Sequence, residues 1–403
     1  MRILLITDHH KPTGGAEKYF FELKEKLQIE TCHDVFSLGF DTTDKKGKDY
    51  QTLAIASSNW SKLLWQLLPH PRITWRLKKA IRQFNPDVIH LHNIKQQTAA
   101  LLRAVQGYPV IQTVHDYHPV CPTSHNIHKN FQPCETGFQR ACFWQHQLKF
   151  NRLIYLALTA SFLLNRRRLK KTIRQFITVS PPLERQVKAH YPQPVTYIPP
   201  FIQKDHDNRA ITPMTGHFLF AGVLDKHKGV ILLLDEFALA LKKRPDLHLT
   251  LAGTGPEETR LKRLSATYGI QQQITFAGWQ TDLTLLYQTH FAAIVPSIWM
   301  EAFGLVLTEA MAHQRPVIGS NRGAIPWLVA DGQTGLIFDP VKKGDLAAKM
   351  LTLANQPELA RQWGLCGQLK LHRMINNEKS LQHLLKLYET TRLNTPDALN
   401  LVT

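Results

Sequence analysis

The chain has 403 residues, which is too many for one ordinary hydrophobic core and suits two domains. Hydrophobic residues make up 43% and charged residues 20%, a balance that is typical of a globular chain and excludes a disordered one. The formal net charge of +18 favours an anionic partner, such as nucleic acid, an anionic lipid surface or a phosphorylated substrate.

The sequence gives no sign of export or membrane insertion. The apolar stretch 3–6 is too short for a signal-peptide core, and no apolar run approaches the roughly 20 residues that span a bilayer. Five cysteines, an odd number in a chain without such a signal, argue against a disulfide framework. We expect a cytoplasmic location, with the inner face of the membrane as an open alternative.

The first half of the chain alternates predicted strands and helices. A strand at 2–7 leads through a loop that ends in Gly14 and Gly15 to a helical pattern at 16–27, which is how a nucleotide-binding type of α/β domain opens. Glycine lets the backbone approach a ligand closely, although a structural turn alone also explains this pair. The alternation predicts a parallel sheet with helices on both faces. The other strand candidates are 34–38, 88–91, 110–114, 176–179 and 195–198.

A polar stretch at 203–215 marks the predicted domain boundary. The alternation of strands and helices starts again at 217 and continues to about 345, after which only helical patterns remain. We therefore expect a first domain over 1–205 and a second over 206–375. The strand candidates of the second domain are 217–221, 247–252, 274–278, 291–295, 316–319 and 335–338.

Residues 297–309, S-I-W-M-E-A-F-G-L-V-L-T-E, carry the most specific chemistry. A buried-strand pattern precedes them and a helical pattern begins near Gly304, so Glu301 is expected in the strand-to-helix loop and Glu309 one turn inside the helix. The backbone N–H groups of 303–305 would then form a helix N-terminus, which suits a phosphate. Glu301 would bind sugar hydroxyls and Glu309 a ribose diol. The plainer alternative is a helix whose acidic residues only offset its dipole.

The spacing of Glu301 and Glu309 around A-F-G resembles the E-x7-E signature of the retaining glycosyltransferases of family GT4. The resemblance extends from the first residue to about Asp345. It implies the GT-B fold, an α/β architecture of two Rossmann-like domains whose parallel sheets face each other across a cleft. It also implies that the first domain binds the acceptor and the second the nucleotide sugar, and that a helix within 376–403, at about 379–391, crosses back to the first domain.

Two motifs of the first domain fall where this resemblance expects them. Gly14 and Gly15 stand in a G-G-A-E loop, which in GT4 enzymes faces the donor phosphate and the acceptor. His115 stands in T-V-H-D at the end of a predicted strand, where the histidine of the family contacts the donor sugar. A histidine satisfied by bonds within its own loop is the alternative.

Lys228 stands in a K-G pair that resembles the diphosphate motif of the family. Its positive charge would stabilise the departing nucleotide diphosphate. Val223 departs from the family pattern, which often has arginine there. Half of the expected phosphate clamp is therefore missing unless Lys226 or another cation replaces it.

The resemblance assigns the roles of the site residues. No protein nucleophile stands at a matching position, so a same-face attack with the leaving phosphate as base is expected to retain the anomeric configuration. Cationic side chains and helix termini take the electrostatic role of a metal, so no cofactor beyond the nucleotide diphosphate sugar is expected. The predicted catalytic residues are Glu301, His115 and Lys228, and the predicted donor-binding residues are Gly14, Gly15, Lys228, Gly253, Gly255, Phe303, Gly304, Leu305 and Glu309.

The segment 116–144 is rich in cysteine and histidine. Several GT4 proteins carry a cysteine-bearing insertion at this point, so an ordered loop with reduced thiols is one interpretation. The other is a zinc or iron–sulfur site, for which the spacing is weak support because it matches no paired Cys-x-x-Cys pattern. The weak metal candidates are Cys121, His125, His128, Cys134 and Cys142.

Two segments of the first domain combine basic with apolar or aromatic residues. The stretch 60–82 places Trp60, Trp65 and Trp75 among Lys and Arg, and the stretch 147–171 ends an apolar core with a run of Arg and Lys. Both fit peripheral contact with an anionic membrane, and both fit ordinary helices of a folded domain. No nucleic acid partner is expected, because no recognition module accompanies the charge.

The sequence thus predicts a transferase that moves a hexose-type sugar from a nucleotide diphosphate sugar to a saccharide or lipid-linked acceptor. Cell-surface polysaccharide or lipopolysaccharide biosynthesis is the expected process. One alternative is a GT-B sugar-nucleotide epimerase or a phosphorylase, which the E-x7-E and T-V-H-D motifs disfavour. The other is a non-catalytic scaffold for lipid or nucleic acid, suggested by Val223 and the net charge of +18.

Overall fold

The computed structural model describes residues 1–11, 14–41, 43–54, 68–95, 98–128, 132–139, 142, 152–202 and 213–393, of which 152–154 are described by their backbone alone. Several predicted features fall outside these ranges. They are Trp60 and Trp65, most of the polar boundary at 203–215, and the start of the basic segment at 147–171.

Strands and helices alternate through most of the described chain. The strands are β1 (Arg2–Thr7), β2 (Asp34–Asp41), β3 (Lys45–Lys46), β4 (Tyr50–Ala54), β5 (Val88–His92), β6 (Val110–Val114), β7 (Gln175–Thr178), β8 (Val195–Tyr197), β9 (Met214–Ala221), β10 (His248–Ala252), β11 (Ile274–Gly278), β12 (His290–Val295), β13 (Val317–Ser320) and β14 (Gly335–Phe338). The helices are α1 (Gly15–Glu30), α2 (Pro71–Phe84), α3 (Thr98–Ala104), α4 (Arg152–Thr172), α5 (Pro181–His190), α6 (Val230–Leu241), α7 (Glu258–Thr267), α8 (Thr284–Thr289), α9 (Leu305–Ala312), α10 (Ile325–Leu328), α11 (Asp345–Ala354), α12 (Pro357–Met374) and α13 (Asn377–Leu393).

The chain divides into two compact units. The first unit comprises Met1–Asn126, Glu135–Phe201 and Asn377–Thr403, and the second comprises Ile127–Cys134 and Ile202–Asn376. Helix α13, at the far end of the described chain, therefore belongs to the first unit.

The first unit contains an eight-stranded sheet in the order β3-β4-β2-β1-β5-β6-β7-β8. Its strands are parallel except β3, which pairs antiparallel with β4. On one face, α1 and α13 pack together over the central strands in a single hydrophobic cluster. Leu384 and Tyr388 of α13 are 1% and 0% exposed there. Since a parallel sheet needs apolar cover on both faces, α13 completes this layer.

The second unit contains a six-stranded parallel sheet in the order β11-β10-β9-β12-β13-β14. Its core packs helices α6, α11 and α12 against the sheet, with Phe237, Met350 and Trp363 as large contributors. Chain order reverses between β9 and β12, so the loops that leave these two strands emerge side by side.

Local sequence explains individual boundaries. Helix α5 begins where Ser-Pro-Pro predicts a helix start, since the Ser180 hydroxyl accepts a hydrogen bond from the Leu183 N–H at 3.5 Å and Pro181 occupies the first turn. The strands predicted at 110–114 and 274–278 have those bounds in the structure.

The hairpin of β3 and β4 was not predicted. Lys45–Lys46 has no apolar residue, and Tyr50–Ala54 lacks a clear alternation of apolar and polar residues, so neither carries a strand pattern. The antiparallel β3 is thus an exception at the edge of the expected parallel sheet.

Among the described helices, none is both long and apolar enough to cross a bilayer.

We predict that Leu384→Ala destabilises the protein by about 2–5 kcal/mol, because it opens a cavity in the layer between α13 and the sheet. The matched control is Leu393→Ala in the same helix, where the side chain is 77% exposed. It should change the free energy of unfolding by less than about 0.5 kcal/mol. Urea denaturation followed by circular dichroism measures both variants, and equal stability of the two would contradict the packing of α13 in the core.

Candidate active site

The loops after β9 and β12 meet at the point where strand order reverses in the second sheet. In open α/β sheets this switch point, at the carboxyl ends of the strands, is where ligands bind. The loop after β9 carries Lys228, and the loop after β12 carries Glu301. The N–H of Ile298 donates to the carbonyl of His227 at 3.0 Å and joins the two loops through the backbone.

Glu301 is only 6% exposed and is held by three donors. Its Oε1 accepts hydrogen bonds from Lys228 Nζ at 2.7 Å, Ser297 Oγ at 2.6 Å and Trp299 Nε1 at 2.8 Å. Burial by itself would raise the pKa of this carboxyl group. The charge of Lys228 and the three hydrogen bonds outweigh burial and hold the pKa below its ordinary value, so Glu301 is ionised at neutral pH.

Lys228 is placed by a turn that only glycine can follow. It ends a short 3-10 helix (Lys226–Lys228), and Gly229 after it has φ 75°. A β-carbon at Gly229 would lie 1.8 Å from the carbonyl oxygen of Pro296. The K-G pair therefore lets the two loops approach, and the Lys228 ammonium lies 4.8 Å from the centroid of the Trp299 ring.

The loop after β13 supports Glu301 from its backbone side. The N–H of Ala324 donates to the carbonyl of Glu301 at 2.8 Å, and a β-carbon at Gly323, where φ is 61°, would lie 2.1 Å from the same oxygen. Arg322 beside it is 1% exposed and lies 3.5 Å from Asp339. Local sequence patterns do not reveal these contacts, because they join residues separated by a strand and a helix.

Helix α9 begins beside Glu301. Gly304 precedes its first residue with φ 93°, so Phe303, Gly304 and Leu305 form the predicted helix start. Glu309 lies one turn inside, is half-buried, and accepts a hydrogen bond from the Tyr287 hydroxyl at 3.2 Å. Both carboxylates of the E-x7-E spacing therefore belong to one loop and helix of the second unit.

The loops after β9 and β10 also pack closely. A β-carbon at Gly253 would lie 1.9 Å from the carbonyl oxygen of Gly222, and one at Gly255 would lie 2.5 Å from that of Leu224. This loop packing explains both glycines by itself. Val223 is 39% exposed, and its neighbour Lys226 lies 3.8 Å from Glu257.

The first unit gathers its predicted residues at its own switch point, between β1 and β5. Gly14 caps α1 and Gly15 is its first residue. Glu17 accepts a hydrogen bond from the Asn93 amide at 2.8 Å, which joins α1 to the loop after β5.

The loop after β5 is also joined to the loops after β1 and β6. The backbone N–H of Lys95 donates to the carboxylate of Asp8, and the Lys95 ammonium pairs with Asp116. His115 stands beside Asp116, directly after β6. These loops thus form one hydrogen-bonded edge of the first sheet.

His115 is half-buried at this edge. Its Nε2 lies 3.1 Å from Nδ1 of His92, and its ring meets that of Tyr19 edge-on at 5.1 Å. Burial lowers the pKa of His115 to about 4, although Asp116 opposes this shift, so the ring is neutral at pH 7. The sequence pointed to His115 through its motif and gave no reason to single out His92.

Within the ranges that the structure describes, no group of three or more His, Cys, Asp or Glu side chains is placed to hold a metal ion. All five cysteines are described, and none forms a disulfide. Of the weak metal candidates, Cys121 Sγ lies 3.3 Å from the hydroxyl of Thr123, and Cys142 Sγ accepts a hydrogen bond from the Gln139 N–H at 3.1 Å.

The pair of Glu301 and Lys228 predicts a pH-dependent contribution to stability. Because the pKa of Glu301 is lower in the folded protein than its ordinary value of 4.5, the carboxylate stabilises the folded state above that value, and this contribution disappears as the pH falls through the folded-state pKa. We expect the wild type to have a higher Tm than Glu301→Gln. This difference in Tm should be constant near neutral pH and should shrink in acid.

Calorimetry across this pH range measures the effect. Glu358→Gln is the control, since the Glu358 side chain is 86% exposed and should give almost no difference at any pH. A difference for Glu301→Gln that grows on acidification would contradict an ionised, paired carboxylate.

Two family models match the chain. Glycosyltransferase Family 4 matches residues 13–206, and Glycosyl transferases group 1 matches residues 201–368. Among curated relatives, the D-inositol 3-phosphate glycosyltransferase of Pseudarthrobacter chlorophenolicus is 32% identical over 168 residues, 40% of this chain and 40% of that protein. A second such protein, from Paenarthrobacter aurescens, is matched over 42% of its length. The chain thus spans about two fifths of the length of these curated relatives.

Solved structures share the architecture at low identity. Sucrose-phosphate synthase from Thermosynechococcus elongatus has a TM-score of 0.71 at 20% identity, covering 96% of this chain and 98% of that one. HepE of Anabaena in complex with UDP-glucose has a TM-score of 0.70 at 16% identity, covering 97% and 100%. The two α/β units therefore have the GT-B fold. Since the two family models together span 13–368, the chain belongs to the GT4-type glycosyltransferases.

Proposed function

We propose that this protein transfers a hexose-type sugar from a nucleotide diphosphate sugar to a saccharide or lipid-linked acceptor, with retention of the anomeric configuration. Cell-surface polysaccharide or lipopolysaccharide biosynthesis is the process it would serve. The observation that supports this most strongly is the buried carboxylate of Glu301, which accepts a hydrogen bond from Lys228 at the switch point of the second sheet beside the start of α9.

The second unit would bind the donor. Lys228 has a side chain 27% exposed, so its ammonium is partly accessible to a ligand while it pairs with Glu301. The backbone N–H groups at the start of α9 add the partial positive charge of a helix N-terminus. Glu301 would bind sugar hydroxyls and Glu309 the ribose. HepE, which shares the fold, was solved with UDP-glucose, so a uridine nucleotide is the first donor to test.

The chemistry would follow from charge that develops on the leaving group. The bond between the anomeric carbon and the diphosphate oxygen breaks while the acceptor oxygen bonds to the same carbon on the same face. The acceptor hydroxyl gives its proton to the departing phosphate. Lys228 and the amides near Gly304 would stabilise the negative charge of the diphosphate, so that no divalent cation is required.

The first unit would bring the acceptor hydroxyl to the donor, with Gly14, Gly15 and His115 near the sugar that is transferred. A neutral His115 can donate or accept a hydrogen bond without adding a charge, which suits contact with sugar hydroxyls. The ion pair of Lys95 and Asp116 would hold the loop on which His115 stands.

The same unit would touch an anionic membrane through α2, α3 and α4, which pack side by side. All charged residues of these helices are Arg or Lys. On α4, Leu156, Leu163 and Leu164 are 49%, 41% and 39% exposed. They share one stripe of the helix with exposed Arg167 and Lys171, at spacings of three, four and seven residues. Apolar residues beside cations suit lipid chains beneath anionic headgroups.

We predict that Glu301→Ala abolishes transfer, a loss of at least about 100-fold in kcat/KM, because the sugar loses its carboxylate and Lys228 its partner. Thermal shifts with UDP, GDP, ADP and CMP sugars identify the donor first, since a ligand that binds the native state raises the Tm. Sugar transfer to a saccharide acceptor is then measured for the wild type and the variant.

Glu358→Ala, an exposed carboxylate of the same unit, is the control and should keep full activity. Undiminished transfer by Glu301→Ala would remove Glu301 from the site. Conversion of the sugar nucleotide by the wild type without any acceptor would instead identify an epimerase. A folded wild type that binds lipid or nucleic acid but no sugar nucleotide would identify a scaffold.

We further predict that Arg167→Glu with Lys171→Glu weakens binding to phosphatidylglycerol vesicles by at least roughly 30-fold, since each cation near an anionic surface contributes about 1 kcal/mol and the new carboxylates are repelled. Sedimentation with vesicles at low and high salt measures this. The matched control is Lys242→Glu with Lys243→Glu, the same charge change at exposed positions of the second unit. Equal losses of vesicle binding for the two double variants would show that binding depends on the net charge of the protein and not on the stripe of α4.

A further inference from the structure

A row of polar side chains crosses the apolar layer between the first sheet and the helices α1 and α13. His90 and His92 lie two residues apart on β5, so they point to the same face of the sheet, and both are 0% exposed. Thr7 and Thr113 pair with His92 in the neighbouring strands β1 and β6. Apolar packing alone does not require imidazoles here, so their contacts need an explanation.

The two histidines make different contacts. Nδ1 of His90 hydrogen-bonds the hydroxyl of Tyr388 at 2.7 Å, and its Nε2 hydrogen-bonds the hydroxyl of Thr113 at 2.7 Å. Nδ1 of His92 instead lies 3.1 Å from Nε2 of His115. His90 therefore joins the sheet to the terminal helix, whereas His92 reaches the edge at which the acceptor is proposed to bind.

The three rings are neutral at pH 7. Burial lowers the pKa of His90 to about 3 and that of His115 to about 4, and burial together with the other two rings lowers the pKa of His92 well below its ordinary value. A neutral imidazole carries one N–H and one lone pair. The bond between His92 and His115 therefore contains a single proton, held either by His92 Nδ1 or by His115 Nε2.

The second nitrogen of His92 distinguishes these two arrangements. Among the described residues, none forms a hydrogen bond with its buried Nε2. A proton on that nitrogen would be an unpaired buried N–H group, which is rare in folded proteins. A lone pair there avoids that cost. The cross-strand neighbour Thr7 has a hydroxyl whose Oγ1 is likewise buried and without a partner among the described residues, so one water can bridge the two groups.

This places the proton of His92 on Nδ1, from which it is donated to Nε2 of His115. His115 must then carry its own proton on Nδ1. Within the described part of the chain, His115 makes no other hydrogen bond, and it is half-buried, so this N–H group is available to a ligand.

We propose that His92 is a positioning residue, which holds the ring of His115 in the Nδ1–H tautomer so that it can donate a hydrogen bond to an oxygen of the bound sugar or acceptor. The identity of that ligand rests on the proposed function, whereas the tautomer does not. Loss of the Nδ1 donor would leave the ring of His115 free to rotate and to exchange its proton between the two nitrogens.

Nitrogen NMR of the wild type tests the tautomer directly. Protein labelled with 15N at histidine is compared with a His115→Gln sample to assign the His115 signals. We expect the Nδ1–H form from pH 6 to 8, with a mixture of both tautomers in His92→Leu. A wild-type ring protonated on Nε2 would overturn the inference, whether or not the protein transfers sugar.

Kinetics test the consequence, with His90→Leu as the matched control. Both positions are fully buried on the same strand, so both variants should lose comparable stability, but only His92 contacts His115. We expect His92→Leu to lower kcat roughly 10-fold to 100-fold with less than about a threefold change in KM for the donor. His90→Leu should stay within about threefold of the wild type.

The conservative variant His92→Asn, whose amide nitrogen can replace the Nδ1 donor, should recover most of the lost kcat. Combining His92→Leu with His115→Leu should lower kcat no further than His115→Leu alone, because His92 acts through His115. Equal losses for His92→Leu and His90→Leu, or additive losses in the double variant, would overturn the positioning role. A wild type that transfers no sugar would refute the proposed function and leave the NMR result to decide this one.

Discussion

The ion pair of Lys228 and Glu301 is the constraint on which the second unit depends. A carboxylate that is only 6% exposed is costly to bury unless its charge is matched and its oxygens are hydrogen-bonded. Here Oε1 of Glu301 accepts three hydrogen bonds, from the Lys228 ammonium, the Ser297 hydroxyl and the Trp299 indole N–H. Removing Lys228 would leave the charge uncompensated, and removing either neutral donor would leave the carboxylate with fewer hydrogen bonds, so the local backbone must hold all three in place.

That backbone is held by close approaches that only glycine permits. Gly229 allows the loop with Lys228 to touch Pro296, and Gly323 allows the loop after β13 to touch Glu301. A β-carbon added at Gly229 would lie 1.8 Å from the carbonyl oxygen of Pro296, and one added at Gly323 would lie 2.1 Å from that of Glu301. The charged pair is thus preorganised by the sheet before any ligand binds, which is the arrangement that electrostatic stabilisation of a leaving group needs.

The first unit repeats this design with other residues. Its sheet also reverses strand order, between β1 and β5, and an ion pair of Lys95 and Asp116 joins loops at its carboxyl edge. Its buried polar row differs, because it is built from neutral histidines instead of charges. A neutral row avoids the desolvation cost of buried ions while it still fixes side-chain direction through hydrogen bonds.

Periodicity and motif spacing predicted the α/β alternation, the position of Glu301 before α9 and that of Glu309 inside it. Those features depend on residues near each other in the chain. Strand order, the contact of Lys228 with Glu301 and the support from Gly323 depend on residues far apart, and no local pattern encodes them. The role of His92 was missed for a related reason. In the sequence it is one more histidine in a strand, and only its contact with the loop residue His115 marks it as part of the site. The hairpin of Lys45–Lys46 and Tyr50–Ala54 lacks a strand pattern altogether.

A crystal structure with the donor sugar nucleotide bound would test the central claim most directly. We expect density for the diphosphate within hydrogen-bond distance of Lys228 Nζ and the backbone N–H groups at the start of α9, with a sugar hydroxyl on the Glu301 carboxylate. Nucleotide bound at another edge, with the pair of Lys228 and Glu301 unchanged and out of reach, would contradict it.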